Sequence, residues 1–350
     1  MTLDAPVPKQ PCGLPELQVS PERCVHSLFE QASCRACVDA CPTSAWTIDD
    51  EGLNLDTALC DSCGLCAAAC PQEVLSVRLN LVSGEMERER MVLAACDRAA
   101  VSLGDGVIPC VHSLSVRGLA RLAVEGIEAI ATATGDCATC ARGTGERLEQ
   151  RLPTLNRLLQ SRGHAQLVHH QYTAAELQAL LTRTRRTHAH SLERRRFLRG
   201  GLRQLTRLAQ GFGEPDLQAR PLPVTALLGR TTTGLAEWRP GFDEKKCAGC
   251  NACIRLCPTQ ALELDHAQHR YHVFPDRCTG CGVCGDACEA DAITPIPWGD
   301  ATPYAVRLQQ RRCRACGAEF RLPLAREDGD DRCPTCRKVN HYRLLFQVLG

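Results

Sequence analysis

Between residues 88 and 172 the apolar positions change period repeatedly. "MVLAAC" at 91–96 and "GVIPCV" at 106–111 are short, nearly continuous apolar runs of strand length. In "SVRGLARLAVEGI" at 115–127 the apolar residues return at three- and four-residue steps, the period of one helix face. "EAIATATGDC" at 128–137 reads as strand again, "TGERLEQRLPTLNRLLQSRG" at 144–163 as helix and "AQLVHHQY" at 165–172 as strand, with a further helix after it. This alternation predicts a small α/β domain with a parallel sheet. Farther on, Leu198, Leu202, Leu205 and Leu208 recur at helical spacing within a basic stretch, which predicts an amphipathic helix. Near the end, "GAEFRLPLAREDGDD" at 317–331 can form a hairpin and "HYRLLFQVL" at 341–349 a third strand. No apolar run approaches the roughly 18 to 20 residues of a membrane-spanning helix.

Composition changes the picture through one residue type. The chain has 25 cysteines in 350 residues, while aromatics make up only 4%, so several small domains are expected rather than one large core. Its 41 basic and 40 acidic residues nearly cancel, which gives no bulk electrostatic case for nucleic acid or membrane. The opening "MTLDAPVPKQPCG" has neither a basic start nor an apolar stretch and does not read as a signal peptide. Most thiols fall in C-x2-C units. Together these features favour an intracellular metal protein in a reducing, cytoplasmic compartment over a disulfide scaffold.

Two cysteine boxes are complete in the second half. "CAGCNACIRLCP" carries Cys247, Cys250, Cys253 and Cys257, and "CTGCGVCGDAC" carries Cys278, Cys281, Cys284 and Cys288, each spaced C-x2-C-x2-C-x3-C. Three thiolates two residues apart on a tight loop can reach three corners of an iron–sulfur cubane, and the fourth corner needs a more distant residue. Zinc knuckles could use eight cysteines but are seldom arranged in this rhythm. Residues 240–298 thus resemble the bacterial two-[4Fe-4S] ferredoxin family. That resemblance implies that the fourth cysteine of each box serves the other centre: Cys247, Cys250, Cys253 and Cys288 for one, Cys278, Cys281, Cys284 and Cys257 for its neighbour. Glu289 departs from the family pattern by standing where proline usually follows the last cysteine, which puts the hydrogen bonding to that sulfur in question.

The amino-terminal region repeats this arrangement. "CDSCGLCAAACP" gives Cys60, Cys63, Cys66 and Cys70, and "CPTSAWTID" at 41–49 mirrors "CPTQALELD" at 257–265, so a whole ferredoxin unit is duplicated. The box before it, "CRACVDACP", has only Cys34 and Cys37 ahead of Cys41. The missing leading thiolate is read as Cys24, separated from Cys34 by an insertion of about seven residues, since doubling a loop costs only about 0.6 kcal/mol. One centre then takes Cys24, Cys34, Cys37 and Cys70; the other takes Cys60, Cys63, Cys66 and Cys41. A three-iron centre, or Cys12 in place of Cys24, is the competing reading.

The α/β stretch holds Cys96, Cys110, Cys137 and Cys140, placed where successive strands would end at one sheet edge, the place where such sheets hold ligands. "PC" at 109–110, "RGLARLAVEGIEAI" and "GDCATC" resemble the small iron–sulfur (delta) subunit of methyl-viologen-reducing hydrogenases. That family carries electrons between a hydrogenase and a second reductase, which implies a fifth iron–sulfur centre here and points to [2Fe-2S], with [4Fe-4S] also open. Buried structural thiols are the alternative. "CVH" at 110–112 looks like half of a Rieske site, but the other half ends in Cys140 rather than histidine, so His112 is read as a surface or hydrogen-bonding residue. Cys313, Cys316, Cys333 and Cys336 form two knuckles with the spacing of a four-cysteine zinc ribbon; a rubredoxin-like iron site is the runner-up.

The basic stretch "TRTRRTHAHSLERRRFLRGGLRQLTR" at 182–207 contains a twin-arginine-like phrase, but its position and the arginines after it argue against an export signal. It reads as a linker helix. The expected organisation is α+β and multidomain: a disordered terminus (1–14), a dicluster ferredoxin module (15–82), the α/β iron–sulfur domain (88–172), a basic helical linker (173–237), a second dicluster module (238–298) and the zinc ribbon (305–350). Four [4Fe-4S] clusters, a fifth centre and one zinc are the implied cofactors. With no dinucleotide loop, phosphate loop or nucleophile–base pair in the sequence, the expected function is relay of single electrons between a donor and an acceptor enzyme, without catalytic chemistry of its own. An assembly factor for a redox enzyme and a zinc-ribbon nucleic-acid binder are the alternatives; the second is weakened by the lack of aromatic platforms beside the arginines.

Overall fold

The computed structural model describes residues 17–338, except 51, 87, 103, 144–146, 185–222, 230–233 and 327–328. Cys12, the helix expected around Leu198–Leu208 and the strand expected at 341–349 lie outside the described residues. The chain forms two compact units: residues 1–22 with 35–219, and residues 23–34 with 220–350.

In chain order the amino-terminal elements are strand β1 (Leu17–Val19), the one-turn helices α1 (Val25–Leu28) and α2 (Ala36–Asp39), strands β2 (Trp46–Asp49) and β3 (Gly52–Leu55), helix α3 (Leu65–Ala69) and strand β4 (Leu75–Val77). β1 pairs antiparallel with β4, Leu17 opposite Val77, and β2 with β3, Trp46 opposite Leu55. Each short helix follows a cysteine loop and each strand pair closes behind it. Trp46 is buried beneath the second loop.

The α/β domain follows within the same unit. Its elements are β5 (Val82–Met86), β6 (Glu89–Cys96), β7 (Val107–Ile108), α4 (Val116–Val124), β8 (Ala129–Ala133), α5 (Leu148–Ser161), β9 (Val168–Gln171) and a helix over residues 174–184, α6. β6 lies parallel to β7 and β8, β8 lies parallel to β9, and β5 runs antiparallel along β6. The alanine-rich strands are buried on both faces, as a parallel sheet covered by helices requires. α6 packs Leu177 and Leu181 against Met91, Leu93 and Ala131. In α5, Leu148, Leu155, Leu158 and Leu159 are wholly buried, the three- and four-residue spacing of an inward face. The Ser115 side chain caps α4 by accepting the Gly118 amide at 3.0 Å. The domain therefore runs past both expected boundaries, to β5 before it and α6 after it.

The second unit repeats the plan of the amino-terminal elements. After α7 (Val224–Leu227) come β10 (Leu235–Phe242), α8 (Ala252–Leu256), β11 (Leu262–Asp265), β12 (Arg270–Val273), α9 (Val283–Asp286) and β13 (Ile293–Asp300). β10 pairs with β13 and β11 with β12, both antiparallel, matching the β1–β4 and β2–β3 pairs of the first unit. The chain continues into β14 (Tyr304–Arg312), β15 (Glu319–Pro323) and α10 (Pro334–Lys338). Here the expected hairpin is displaced. Its strands are β14 and β15, with the Cys313–Cys316 knuckle at their turn, and β14 also pairs with β12. The carboxy-terminal strands thus extend the ferredoxin sheet instead of forming a free-standing ribbon. Gly249, at φ +70°, is needed at this seam, because a Cβ there would overlap the Arg321 carbonyl oxygen of β15.

Candidate metal centres

In the second unit the cysteines of the two boxes lie close enough to act on one another. Burial pushes the Cys247 thiol up to about 11; the Gly249 amide opposes the rise, and Cys250 and Cys288 add to it. Burial likewise raises Cys253, with Cys247, Cys284, Cys250 and Cys288 all close enough to raise it further. In the neighbouring set, burial and then Cys284, Cys257 and Cys281 raise Cys278, while Cys284 is driven up to about 12 by burial, Cys281 and Cys257. Shielded thiols this crowded cannot all ionise unless a positive centre sits among them. Binding metal supplies that centre and releases the protons. The donor sets fit thiolate-held iron–sulfur cages.

The four boxes share one backbone signature. The third residue after each last cysteine is left-handed: Ser44, Glu73, Gln260 and Asp291, with φ of 54°, 49°, 56° and 47°. That turn swings the following amide back toward sulfur. Ala45 N–H donates to Cys41 Sγ at 3.3 Å, Ala261 to Cys257 at 3.2 Å and Ala292 to Cys288 at 3.3 Å. At Cys70 the nearby backbone amides of Gln72, Val74 and Leu75 oppose the rise that burial causes. Glu289 therefore leaves the amide–sulfur bond at Cys288 in place.

The leading side of the first box departs from the others. In the complete boxes the residue after the second cysteine is left-handed and starts the short helix: Gly64, Asn251 and Gly282, with φ of 79°, 63° and 85°. The corresponding Arg35 has φ −126°. Cys24 and Cys34 belong to the second unit; Cys37 and Cys70 belong to the first. Cys24 is raised by burial, with Cys34 the thiol beside it. Cys70 is raised by burial as well. The other amino-terminal set is compact: burial pushes Cys66 up to about 11, with Cys60 and Cys41 adding to the rise, and Cys41, Cys60, Cys63 and Cys66 line one recess beside Trp46.

The sheet edge of the α/β domain gathers the third cysteine group. Cys96 ends β6, Cys110 follows β7, and Cys137 and Cys140 follow β8. The parallel strands bring all four to a recess of about 440 Å³, open solvent at its mouth included, which His112 and Arg142 also line. Burial pushes Cys110 up to about 11, with Cys96 and Cys137 adding and Arg142 opposing. Burial also raises Cys137, with Cys96 and Cys140 adding. His112 is buried, and its Nε2 lies 3.4 Å from Cys137 Sγ. Of the two roles read from the sequence, the structure selects hydrogen bonding over surface exposure. Burial holds the His112 pKa below its ordinary value, with Arg151, Arg147 and His169 adding against Glu149, which favours the neutral ring. Sequence reasoning missed Arg142, whose only local cue is its place two residues after Cys140.

The last group is geometrically different. The sulfurs of Cys313, Cys316, Cys333 and Cys336 all lie within 4.8 Å of one another, and among the described residues no other set of three or more His, Cys, Asp or Glu ligand atoms is so tight. Thiolates held about 2.3 Å from one ion stand roughly 3.8 Å apart in a tetrahedron, so this set suits a single ion. Burial opposes ionisation of Cys313, but the amides of Cys333, Cys316 and Ala315 converge on it and bring it down to about 6.

Comparison with known proteins bears on both ferredoxin segments. Residues 32–75 and residues 246–292 each match a 4Fe-4S dicluster domain family. The first match begins after Cys24. Pyruvate synthase subunit PorD of Methanocaldococcus jannaschii is 34% identical over 74 residues, which is 21% of this chain and 84% of that protein. PorD of Methanothermobacter marburgensis is 35% identical over 60 residues, 16% of this chain and 68% of the relative. Pyruvate:ferredoxin oxidoreductase of Moorella thermoacetica is 25% identical over 156 residues, 33% of this chain but only 13% of its own length. The chain thus spans a small fraction of the large oxidoreductases it matches. Among the described residues, no helix is long and apolar enough to cross a membrane.

Proposed function

This chain belongs to the 4Fe-4S dicluster ferredoxin family, and we propose that it relays single electrons between a redox donor and an acceptor enzyme. The carrying observation is that the eight cysteines of the two boxes in the second unit lie close enough to act on one another, with an amide–sulfur bond on the last cysteine of each box. Bound clusters would accept and pass single electrons. The chain's own residues hold sulfur ligands, shield them from water and direct N–H groups at them, which sets the potentials. The similarity to PorD supports a 2-oxoacid oxidoreductase as one partner.

In the same reading, the amino-terminal module carries two further [4Fe-4S] centres on Cys24, Cys34, Cys37 and Cys70 and on Cys60, Cys63, Cys66 and Cys41. The α/β domain carries a fifth centre on Cys96, Cys110, Cys137 and Cys140, supported by their shared recess and by the resemblance to the hydrogenase delta subunit. Cys313, Cys316, Cys333 and Cys336 hold zinc. Anaerobic purification with metal and sulfide analysis tests this at once: roughly 16 irons from four cubanes, the complement of a fifth centre and one zinc. EPR-monitored titration should find low-potential one-electron centres that a purified pyruvate oxidoreductase reduces. A folded but colourless protein holding zinc alone would end the proposal. Ready loss of clusters to an apo-enzyme would turn it toward assembly.

A further inference from the structure

One buried guanidinium touches the chain beside ligands of two candidate centres in the first unit. Arg142 Nε donates to Asp61 at 2.6 Å, and Asp61 directly follows Cys60. Its Nη1 donates to both carboxylate oxygens of Asp97, the residue after Cys96, at 3.0 and 2.9 Å. The same nitrogen donates to the Pro109 carbonyl, just before Cys110, at 2.6 Å. The Arg142 side chain is only 9% exposed.

The same surfaces also meet directly. Cys63, Leu65 and Cys110 form one buried cluster. Gly64 sits so close that a Cβ would stand 3.1 Å from Ser113 Cβ. On the flank, Arg117 Nη2 donates to the Pro71 carbonyl at 2.6 Å and Arg121 pairs with Glu73 at 3.2 Å.

We infer that the α/β-domain centre and the Cys41, Cys60, Cys63, Cys66 centre are a directly coupled redox pair, joined at Cys63 and Cys110, with Arg142 as their shared counter-charge. This rests on the fifth-centre reading above. With both centres bound, one electron would pass between them, oxidising one centre as it reduces the other; no ligand would be exchanged and no bond would form or break. Each reduction adds a negative charge in a shielded place, where a fixed cation stabilises it more than water would. Arg142 is thus a positioning residue for both centres: it holds the docked surfaces together and raises both potentials.

The full-length, cluster-loaded protein tests this. Iron and sulfide counts of a Cys110→Ala/Cys137→Ala variant come first. Loss of two or four irons establishes the fifth centre, whereas unchanged iron removes it and the pair with it. With the centre established, fully reduced wild-type protein should show EPR signals of the amino-terminal module split or broadened by spin coupling, and the double variant should lose that broadening. Arg142→Gln should move both potentials of the pair to more negative values and leave those of the second unit unchanged, while Arg142→Lys keeps most of the wild-type values. Should Arg142→Gln not retain its iron, the wild-type spin coupling and the lysine variant decide. A magnetically isolated α/β-domain centre, or an Arg142→Gln shift confined to one centre or absent from both, would overturn the inference while leaving the fifth centre intact.

Discussion

His112 and Cys137 are joined by a hydrogen bond whose direction the fold dictates. The Leu148 backbone N–H, at the start of α5, donates to His112 Nδ1 at 3.1 Å, so the neutral ring carries its proton on Nε2. That proton points at Cys137 Sγ, 3.4 Å away. An N–H donor stabilises the more electron-rich, reduced state of a thiolate-bound centre. His112→Phe should therefore lower the potential of the α/β-domain centre by on the order of 50 mV, because 59 mV corresponds to about 1.4 kcal/mol for one electron. His112→Gln should recover part of the shift. EPR titration reads this directly, and an unmoved potential with full iron content would show that the bond has no role in tuning.

The two boxes that end in "CPT" have an extra hydroxyl near sulfur. Thr43 Oγ1 lies 3.6 Å from Cys41 Sγ and Thr259 Oγ1 lies 3.8 Å from Cys257 Sγ, while Gln72 and Ala290 occupy that place after Cys70 and Cys288. These contacts are long, so the effect should be smaller than at His112. Thr259→Val should lower the potential of the centre using Cys257 by roughly 20 to 40 mV, corresponding to about 0.5–1 kcal/mol. The neighbouring centre should stay where it is, which makes the dicluster module its own control.

Ser33 ties the inserted segment of the first box to α9. Its amide and hydroxyl donate to the two oxygens of Asp286 at 2.8 and 2.7 Å. Val25 and Ala32 are buried with Val283, and Phe29 and Leu256 pack around them. The insertion is thus a folded part of the second unit rather than slack loop. Asp286→Ala should cost about 1 kcal/mol of local stability, since the bonds are exposed but the acceptor is charged. Hydrogen exchange across residues 25–34 should rise several-fold while iron content holds. Cys24→Ala, by contrast, should lose iron from the first centre; unchanged iron and spectra would remove Cys24 from the ligand set.

The cysteine rhythm made most of the candidate ligands legible, because each box is a local loop whose spacing is its geometry. The α/β alternation was equally readable: "MVLAAC", "EAIATATGDC" and the helical phrase that follows each became β6, β8, α4 and α5. What escaped were side-chain contacts between distant segments. Nothing periodic marks Arg142 as the partner of Asp61, 81 residues away, or Ser33 as the partner of Asp286, 253 residues away. The carboxy-terminal hairpin was misplaced for a related reason. "YAVRLQQRR" is strand-like by composition, but its pairing with β12 is a long-range choice that no local signal carries.

The tight four-sulfur set at the end of the second unit should bind one spectroscopically silent ion. Cys333 N–H donates to Cys313 Sγ at 3.2 Å and Cys336 N–H to Cys333 Sγ at 3.4 Å, amide–sulfur bonds that hold the sulfurs together before metal arrives. Structural zinc contributes roughly 10 kcal/mol or more to folding in small domains. Cys336→Ser should therefore eliminate the zinc and loosen β15, seen as faster exchange at Phe320 and Leu322. Iron content and cluster potentials of the second unit should change little, because its cluster ligands are separate residues. Recovery of iron rather than zinc from this site would assign it as a rubredoxin-like centre.

Removing iron should divide the protein according to how much apolar core each part possesses. The α/β domain buries Met91, Leu93, Ile108, Ile130, Leu155, Leu158 and Leu159 almost completely, enough to hold a sheet without metal. The second dicluster segment relies on a small core around Tyr271, Ala292, Val306 and Leu308, with Cys247 among its members. Its buried thiols, stripped of iron, keep their protons and lose the cages that would cross-link the two cysteine loops. Chelated protein should then show near-complete loss of exchange protection in the Cys247–Cys288 segment and in the Cys41–Cys70 segment. β6, β8 and α5 should keep theirs. Native-like protection of both ferredoxin segments without iron would mean that the polypeptide alone fixes the ligand positions.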